Sequence, residues 1–411
     1  FEHVMRQLNE FLEYGYEDNP LYSVFMNKVG VLGLPNDVVA ELGEGLKDAI
    51  DNGANPGFSQ LLGYVQAHIE HANPHDGVWS LPDGEAFYEL RLKAYTTTDA
   101  TAASIHQLGL AEVDRITRRM REILDALGYA TTDSVGALMN GLNEEPRFLY
   151  EDKPDRKDIV IADYSAMVAA TKEAMGNAFR RLPRAEVVVR AVPEYSEETA
   201  AGGYYMSPAL DGSRPGVFYA NLYDIKQTPK YAMRTLVFHE AIPGHHLQNA
   251  INIENEDLTL YRKYGYGTSA FSEGWALYAE RLAVELGLAG SPYDELGVLQ
   301  SELFRAVRLV VDTGIHSKRW TREEAIDYMK NTTGMSNTEV VVEIERYIVW
   351  PGQACSYKMG MLKIVNLREW AKQELGDQFD LKTFHSVVLD HGEPPLFIVE
   401  DLVSQLIESR G

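Results

Sequence analysis

Residues 238–248 read FHEAIPGHHLQ and place three histidines and one glutamate within eight positions. His239 and Glu240 open the zinc-protease signature H-E-x-x-H, but position 243 is a proline where that signature requires histidine. On an unbroken helix, His239 and His245 would point roughly 240° apart and lie about 9 Å apart along the axis. Zinc–nitrogen bonds of about 2.0–2.1 Å cannot span that distance. The segment can therefore bind one ion only if the helix is interrupted between the histidines.

Pro243 and Gly244 predict such an interruption. Proline has no amide N–H, and its ring clashes with the carbonyl four residues back, that of His239. Glycine permits the unusual dihedrals that a bulge needs. A bulge of two residues would bring His245 to the position of the second histidine of the signature, and a bulge of three would bring His246 there. The smaller bulge disturbs fewer backbone hydrogen bonds, so we predict that His239 and His245 bind the metal.

The neighbours of these two histidines receive separate roles. Glu240 would lie beside the metal without binding it, as a general base should. Adjacent helical residues point about 100° apart, so His245 and His246 are not expected to share an ion. We expect His246 to turn toward substrate or toward a carboxylate outside the metal shell.

The next predicted helix, SAFSEGWALYAERLAVELG at 269–287, offers a third ligand. Glu273 and Glu280 lie on the side opposite its main apolar stripe, and that side is also rich in apolar residues. A buried carboxylate needs a cation or hydrogen-bond donors, so each glutamate either pairs with an arginine or serves a metal. We predict Glu273 as the third ligand and Glu280 in the surrounding shell. Two histidines, a glutamate and an adjacent base match a catalytic zinc site with one open position.

Working outward, LFRAVRLVVDTGIHSKRW places Arg308, Asp312 and His316 four residues apart on one helix. A structural ion ladder is one interpretation of this column. The other is a role in the site, either around the metal ligands or, for His316, as a donor to a reaction intermediate.

The segment RYIVWPGQACSYKMG brings Tyr357 and Lys358 into the start of a further helix. Tyr357 is either a core residue or a donor to a tetrahedral oxyanion. Arg308 and Lys358 are candidates for contact with the C-terminal carboxylate of a peptide. The one cysteine, Cys355, is expected to be a small buried apolar residue.

The whole chain of 411 residues has a net charge of −23. Such an acidic surface repels phosphate backbones and anionic lipid, so nucleic acid is not an expected partner. The sequence contains no apolar run long enough for a transmembrane helix and no P-loop, G-x-G-x-x-G or G-x-S-x-G motif. Because the chain starts FEHVM, without an initiating methionine, we expect a leader or a longer N-terminal region before it. The compartment stays open between the cytoplasm and an extracytoplasmic location, periplasmic or lipoprotein.

The distribution of patterns along the chain predicts a single, mainly α-helical unit over 1–411. Residues 1–184 are mostly helical, residues 185–226 form a small antiparallel β-sheet, and residues 227–411 supply the helices of the metal site. The β insert thus directly precedes the metal-binding helix.

Five stretches together resemble a bacterial family catalogued as domain of unknown function 885: ASIHQLGLAEVDRI, HEAIPGHHLQ, FSEGWALYAE, RLVVDTGIHSKRW and YIVWPGQACSYKMG. That family is similar in fold to the helical carboxypeptidase Taq-type metallopeptidases, and more distantly to neurolysin and angiotensin-converting enzyme. The resemblance runs from about residue 75 to the C-terminus. It implies a zincin-like helical fold, with the family's motif falling on His239, Glu240, His245 and Glu273.

These observations favour a zinc metallohydrolase that acts on peptides, with one zinc ion per chain. Glu240 would be the general base, and Tyr357, or else His316, would stabilise the oxyanion. One alternative is a non-catalytic peptide-binding protein with a vestigial or structural metal. Another is a redox site for iron or manganese, since histidine and glutamate ligands are not exclusive to zinc.

Overall fold

The computed structural model describes residues 1–129, 132–194, 196–197, 200–224 and 229–410. The chain divides into two compact units, Phe1–Pro74 and His75–Gly411. The sequence analysis treated the chain as one unit and placed no boundary at this point. The division falls within NPHDG, residues 73–77, a turn-rich stretch of the kind that commonly separates packed elements.

The first unit is helical. Asn19 caps its second helix, because the side chain accepts a hydrogen bond from the Leu21 N–H at 2.9 Å and Pro20 occupies the first helical position. The helices of this unit are α1 Glu2–Glu13, α2 Pro20–Gly30, α3 Asn36–Ala49 and α4 Asn55–His68, with a π-helical turn Ile50–Ala54 joining the last two.

The second unit is also mainly helical and contains the whole candidate site. None of the described helices combines the length and hydrophobicity of a membrane-crossing segment. The helices of the second unit are α5 Gly84–Thr96, α6 Ala102–Ala126, α7 Val135–Asn143, α8 Arg156–Ala174, α9 Lys230–Leu236, α10 His245–Glu254, α11 Ser269–Glu285, α12 Pro292–Ser317, α13 Arg322–Thr333, α14 Asn337–Val349, α15 Ser356–Leu375, α16 Leu381–Leu389 and α17 Leu396–Glu408.

Helices α6 and α12 form the centre of the largest core. The apolar stripe of α6 buries Ile116, Met120 and Ile123 against the apolar face of α12. The two helices approach closely where a side chain at Gly109 would lie 2.8 Å from the Cβ atom of Leu309. Burial of such side chains stabilises by about 1.5–3 kcal/mol each, so this pair contributes strongly to the stability of the second unit.

Helix α11 is buried on both faces, as its sequence predicted. Trp275, Tyr278 and Leu277 are each at most 1% exposed. Its crossing with α15 is at backbone contact, because a Cβ atom at Gly274 would lie only 2.5 Å from the Cα atom of Gly360. Glu273, next to Gly274, is therefore held at a fixed place relative to α15.

The β-sheet lies within the predicted range but is mixed, not antiparallel throughout. Its strands are β1 Val187–Ala191, β2 Gly203–Met206 and β3 Gly216–Ala220, in the order β1-β3-β2. Strand β2 pairs antiparallel with β3, whereas β1 pairs parallel with β3. The prediction was wrong on this pairing because the chain crosses after β1 to the far edge before returning as β3. Side-chain composition indicates strands but does not report that crossing.

Candidate metal centre

The helix that begins as α9 is interrupted between the histidines of the 238–248 segment. It continues as a π-helical turn, Val237–Ala241, which carries His239 and Glu240. Ile242 is then extended, as expected for a residue before proline. The Ile242–Pro243 peptide bond is cis, and α10 starts afresh at His245. The interruption predicted from Pro243 is thus a complete break, larger than a bulge.

Gly244 lets the chain fold back across the end of the first helix. A Cβ atom at this position would lie 1.8 Å from the carbonyl oxygen of His239, so no larger residue fits. Its φ of −78° and ψ of −131° lie outside the helical and extended regions, so glycine serves both the unusual dihedrals we expected and the close approach. The indole N–H of Trp275 donates to the Pro243 carbonyl at 2.9 Å and ties the break to α11.

The break brings His239, His245 and Glu273 together. The Nε2 atoms of His239 and His245 each lie 3.5 Å from the same Oε2 atom of Glu273. One potential ligand atom from each residue lies within 4.8 Å of the other two. Two ligands of a tetrahedral zinc ion with bonds of about 2.0–2.1 Å stand roughly 3.4 Å apart. The three side chains therefore fit one metal ion, and the remaining tetrahedral position would be open.

The ionisation of the cluster shows how strongly its members interact. Burial alone would raise the pKa of Glu273, but His245 and His239 hold it well below its usual range. Burial disfavours the charged form of His239, yet the Glu273 and Glu280 carboxylates outweigh it and raise the pKa of that imidazole to about 10. The pocket formed by these residues thus favours positive charge, as a cation site must.

Glu280 lies behind His239. Its Oε1 atom accepts a hydrogen bond from Nδ1 of His239 at 2.6 Å, which directs Nε2 toward Glu273. Glu280 is 1% exposed, and its Oε2 atom has no hydrogen-bond partner in the described part of the chain. A carboxylate held against the outer nitrogen of a ligating histidine is the usual support of a metal-binding imidazole.

Glu240 follows His239 directly and is 6% exposed. Within the described residues, no hydrogen-bond donor is paired with its carboxylate. Its negative charge helps to raise the pKa of His239, so the carboxylate lies close to the cluster without belonging to it. The structure thus places Glu240 beside the three potential ligands and outside their set.

His246 turns away from the cluster. Its Nδ1 atom is 2.9 Å from the Tyr205 hydroxyl, and its Nε2 atom is 3.1 Å from the Ala185 carbonyl oxygen. The ring is 1% exposed, and desolvation lowers its pKa to about 4. The expected partners, substrate or a carboxylate, are replaced by a phenol and a backbone carbonyl. His246 thus joins α10 to strand β2 and to Ala185, two residues before β1.

Glu393 is a neighbour of the cluster that the sequence analysis missed. It lies in the loop between α16 and α17 and accepts a hydrogen bond from Gln248, one turn beyond His245, at 2.9 Å. Burial raises the pKa of Glu393, and the negative charge of Glu273 raises it further. The hydrogen bond from Gln248 and the charge of His245 act in the opposite direction. A loop residue has no periodic pattern, so only the Gly-Glu-Pro-Pro punctuation marked this position.

Tyr357 lies in the first turn of α15 and is 8% exposed. The guanidinium of Arg308 is 4.4 Å from its ring centroid, and that of Arg305 is 6.0 Å away. Arg346 lies close enough to Tyr357 for the two side chains to interact electrostatically. The sequence analysis named Arg308 but not Arg305 or Arg346, which look like ordinary surface arginines in their helices.

The column Arg308, Asp312 and His316 is bonded to other elements instead of forming a ladder. Arg308 donates to Tyr347 and Glu343 of α14. Asp312 accepts from the Tyr88 hydroxyl and the Gly352 N–H.

The oxyanion role considered for His316 is wrong. Its Nδ1 atom accepts from the Val78 N–H at 3.2 Å, and its Nε2 atom bonds to the Tyr347 carbonyl at 3.0 Å. The ring is completely buried, so no N–H remains for an intermediate.

Lys358 does not face substrate, in contrast to our expectation. It is completely buried, and its ammonium group lies 2.5 Å from Glu302 and 2.8 Å from Glu112. Arg115 joins the same network. A buried ammonium must be paired in this way, so this lysine cannot also bind a peptide carboxylate.

Two bacterial proteins are among the solved structures that are similar to the chain. One is a protein of Colwellia psychrerythraea described as a "putative lipoprotein", with 42% identity, a TM-score of 0.95, and coverage of 98% of this chain and 69% of the other. The second, from Shewanella oneidensis, is described as a "putative lipoprotein of unknown function". It has 23% identity, a TM-score of 0.74 and coverage of 98% and 73%, and at that identity it shows the fold alone.

No curated protein matches the chain. The family described as "Bacterial protein of unknown function (DUF885)" matches residues 1–403. The match includes the first unit, so the resemblance extends further than the region from residue 75 that the motifs indicated. The chain belongs to this family.

Proposed function

We propose that the chain is a zinc-dependent hydrolase of peptide bonds. The observation that carries the proposal is the pair of 3.5 Å distances from the two Nε2 atoms of His239 and His245 to one oxygen of Glu273. A structural zinc site has four protein ligands, whereas three ligands leave a position for water or substrate. A zinc ion bound there would supply Lewis acidity and lower the pKa of a bound water toward 7.

Glu240 would act as the general base. Its carboxylate is next to a ligand and has no structural partner in the described residues. It would take a proton from the attacking water and pass it to the nitrogen of the leaving amine, so that no free amide anion has to form. Glu280 would keep the imidazole of His239 in the orientation that presents Nε2 to the metal.

Tyr357 is the candidate donor to the oxyanion. Helices α11 and α15 are joined by a 2.7 Å hydrogen bond between the Ser269 and Ser356 hydroxyl groups. They touch again at Gly274 and Gly360. Tyr357 follows Ser356 and Glu273 precedes Gly274, so both lie along the same helix contact. Its hydroxyl group would donate to the oxygen that becomes negative during attack.

Strand β2 would bind the substrate backbone. It lies at an edge of the sheet and pairs with β3 on one side only within the described residues. The Tyr205 hydroxyl of this strand bonds to His246, which is adjacent to the proposed ligand His245. An extended peptide could add to the free edge by main-chain hydrogen bonds and pass in front of the metal.

The test combines metal analysis with two matched variants. Protein purified without chelator should carry about one zinc ion per chain. Glu240→Gln should keep that zinc and lose at least ~100-fold in the rate of cleavage of a broad peptide library. Glu256→Gln, which alters an exposed carboxylate in the segment after α10, is the control and should retain both properties.

The outcomes separate the proposal from its alternatives. Absence of transition metal after supply of zinc excludes the site. Zinc without any peptide cleavage favours a peptide-binding protein with a structural metal. Iron or manganese in place of zinc favours the redox alternative.

We also propose an extracytoplasmic location. Its support is that both similar structures carry the description "putative lipoprotein". Fractionation of cells that express the native protein from its own gene tests this proposal, and recovery in the cytoplasm would refute it.

A further inference from the structure

Three arginines surround Tyr357. The guanidinium of Arg308 lies between the rings of Tyr357 and Phe304, at 4.4 Å and 4.2 Å from their centroids. Arg305 approaches the Tyr357 ring at 6.0 Å, and Arg346 lies close enough to Tyr357 for the two side chains to interact electrostatically. Two helices, α12 and α14, thus direct positive charge to one tyrosine at the start of a third.

The protein's own carboxylates do not balance this charge. Glu343 pairs with Arg308 at 2.9 Å and with Arg346 at 3.4 Å. In the described part of the chain, no other carboxylate pairs with either of them, and none pairs with Arg305. The identified bonds of Arg305 go to the neutral hydroxyl and carbonyl groups of Ser301. Three positive charges with one negative partner are unusual in a chain whose net charge is −23.

Two of the guanidinium groups also contain unsatisfied donors. The Nη1 atom of Arg308 and the Nε atom of Arg305 are buried and have no hydrogen-bond partner among the described residues. Arg308 is only 3% exposed. Buried donors on charged groups are costly to leave unpaired, so their retention here points to an anion that completes them.

We propose that Arg305 and Arg308, supported by Arg346, bind a carboxylate of the substrate. This inference rests on the proposed function and specifies its substrate class, peptides with a carboxylate close to the scissile bond. Planar guanidinium groups suit carboxylates because they donate two parallel hydrogen bonds. Lys358, the partner that the sequence suggested for Arg308, is committed to Glu302 and Glu112. Arg305 takes its place.

The carboxylate has two possible sources, the C-terminus of the peptide or an acidic side chain. Three blocked dipeptides distinguish them: N-acetyl-Gly-Phe with a free C-terminus, its C-terminal amide, and N-acetyl-Glu-Phe amide. Their dissociation constants are measured by calorimetry on chelator-treated, metal-free protein, in which hydrolysis does not interfere. The wild type should bind one of the two acids at least ~10-fold more tightly than the neutral amide, the order of one charge-assisted contact.

Arg305→Gln is the main variant, because Arg305 is partly exposed and pairs with no described carboxylate, so folding should not depend on it. It should lose most of the ~10-fold preference, and Arg305→Lys should retain part of it. Arg118→Gln is the control, since it removes the same charge from an exposed arginine paired with Asp114 on α6. Circular dichroism and thermal melting verify that each variant is folded.

Three results would overturn the subsite: equal binding of acids and amide by the wild type, no binding of any probe, or a preference that survives Arg305→Gln. Preference without cleavage of any peptide would leave the subsite standing and reject the proposed function. Cleavage without preference would reject the subsite alone.

Discussion

The Nδ1 atom of His239 and the Oε1 atom of Glu280 form a buried hydrogen bond of 2.6 Å across 41 positions of sequence. The π-helical turn that carries His239 is therefore bonded to α11 at Glu280, and the same helix carries Glu273 about two turns earlier. One helix thus provides both the direct contact to Nε2 and the support behind Nδ1. The orientation of the imidazole is decided by α11 more than by its own helix.

Glu280→Gln tests this support. Gln can still accept from Nδ1, but it lacks the charge that strengthens the imidazole as a ligand. We expect zinc affinity to fall about 10–100-fold, the usual effect of changing a residue outside the metal ligands. Competition with a fluorescent chelator measures it, with Glu256→Gln as the exposed control. Unchanged affinity in Glu280→Gln would show that the charge of Glu280 has no influence on the metal.

The two neighbouring histidines should respond differently to truncation. His245→Ala removes a proposed ligand and should abolish stoichiometric zinc binding. His246→Ala should retain zinc and lose only part of any activity, because the ring bonds to Tyr205 and Ala185. The loss of these bonds should cost about 1–3 kcal/mol of stability. Zinc titration and thermal melting decide the matter, and the reverse order of losses would reject the ligand assignment.

Gly244→Ala should disrupt the break between the two helices. The new methyl group would lie 1.8 Å from the His239 carbonyl oxygen, so the backbone must shift and separate His239 from His245. We expect a destabilisation of about 1–3 kcal/mol or more, typical of overpacking, together with lost zinc. Gly141→Ala is the control, because nothing lies within 4 Å of that position and alanine favours a helix interior by about 0.5–1 kcal/mol. Equal behaviour of the two variants would contradict the close-approach argument.

His385 should make stability depend on pH. Burial, opposed by a backbone bond to Ala178 and assisted by Arg368, lowers its pKa from 6.5 to about 4. Below pH 6.5 the unfolded chain binds a proton that the folded protein refuses until about pH 4, so stability falls as pH falls through this window. The full effect is on the order of 3 kcal/mol.

The measurement is the free energy of unfolding at several pH values between 4 and 7. His385→Asn should be less stable at pH 7, because it loses the bond from the Tyr278 hydroxyl group. Its stability should depend less steeply on pH. His68→Asn, a change of an exposed histidine in the first unit, should retain the wild-type slope. If the free energy of unfolding of His385→Asn depended on pH as steeply as that of the wild type, His385 would not be the cause of the dependence.

Much of the local structure follows from nearby residues. The two apolar faces in 269–287 predicted that α11 is buried. Pro243 and Gly244 predicted the break between His239 and His245, because a missing N–H and a missing Cβ act within a few residues. The proximity of Glu273 was predicted from the need of a buried carboxylate for a cation. The inferences on α11 and on the break succeed because the cause and the effect lie in the same short segment, whereas the inference on Glu273 rests on the cost of burying a charge.

Other properties depend on elements distant in sequence. The parallel pairing of β1 with β3 results from a crossing of the chain, and the burial of Lys358 results from Glu112 and Glu302 on other helices. Both ring nitrogens of His316 are bonded to backbone groups, those of Val78 and Tyr347, so this histidine has no N–H for an oxyanion. The sequence of a helix shows that a side chain is polar but does not show whether its partner is a substrate or another helix. Only tertiary packing decides between them, because desolvation and pairing are properties of the assembled core and not of the local pattern.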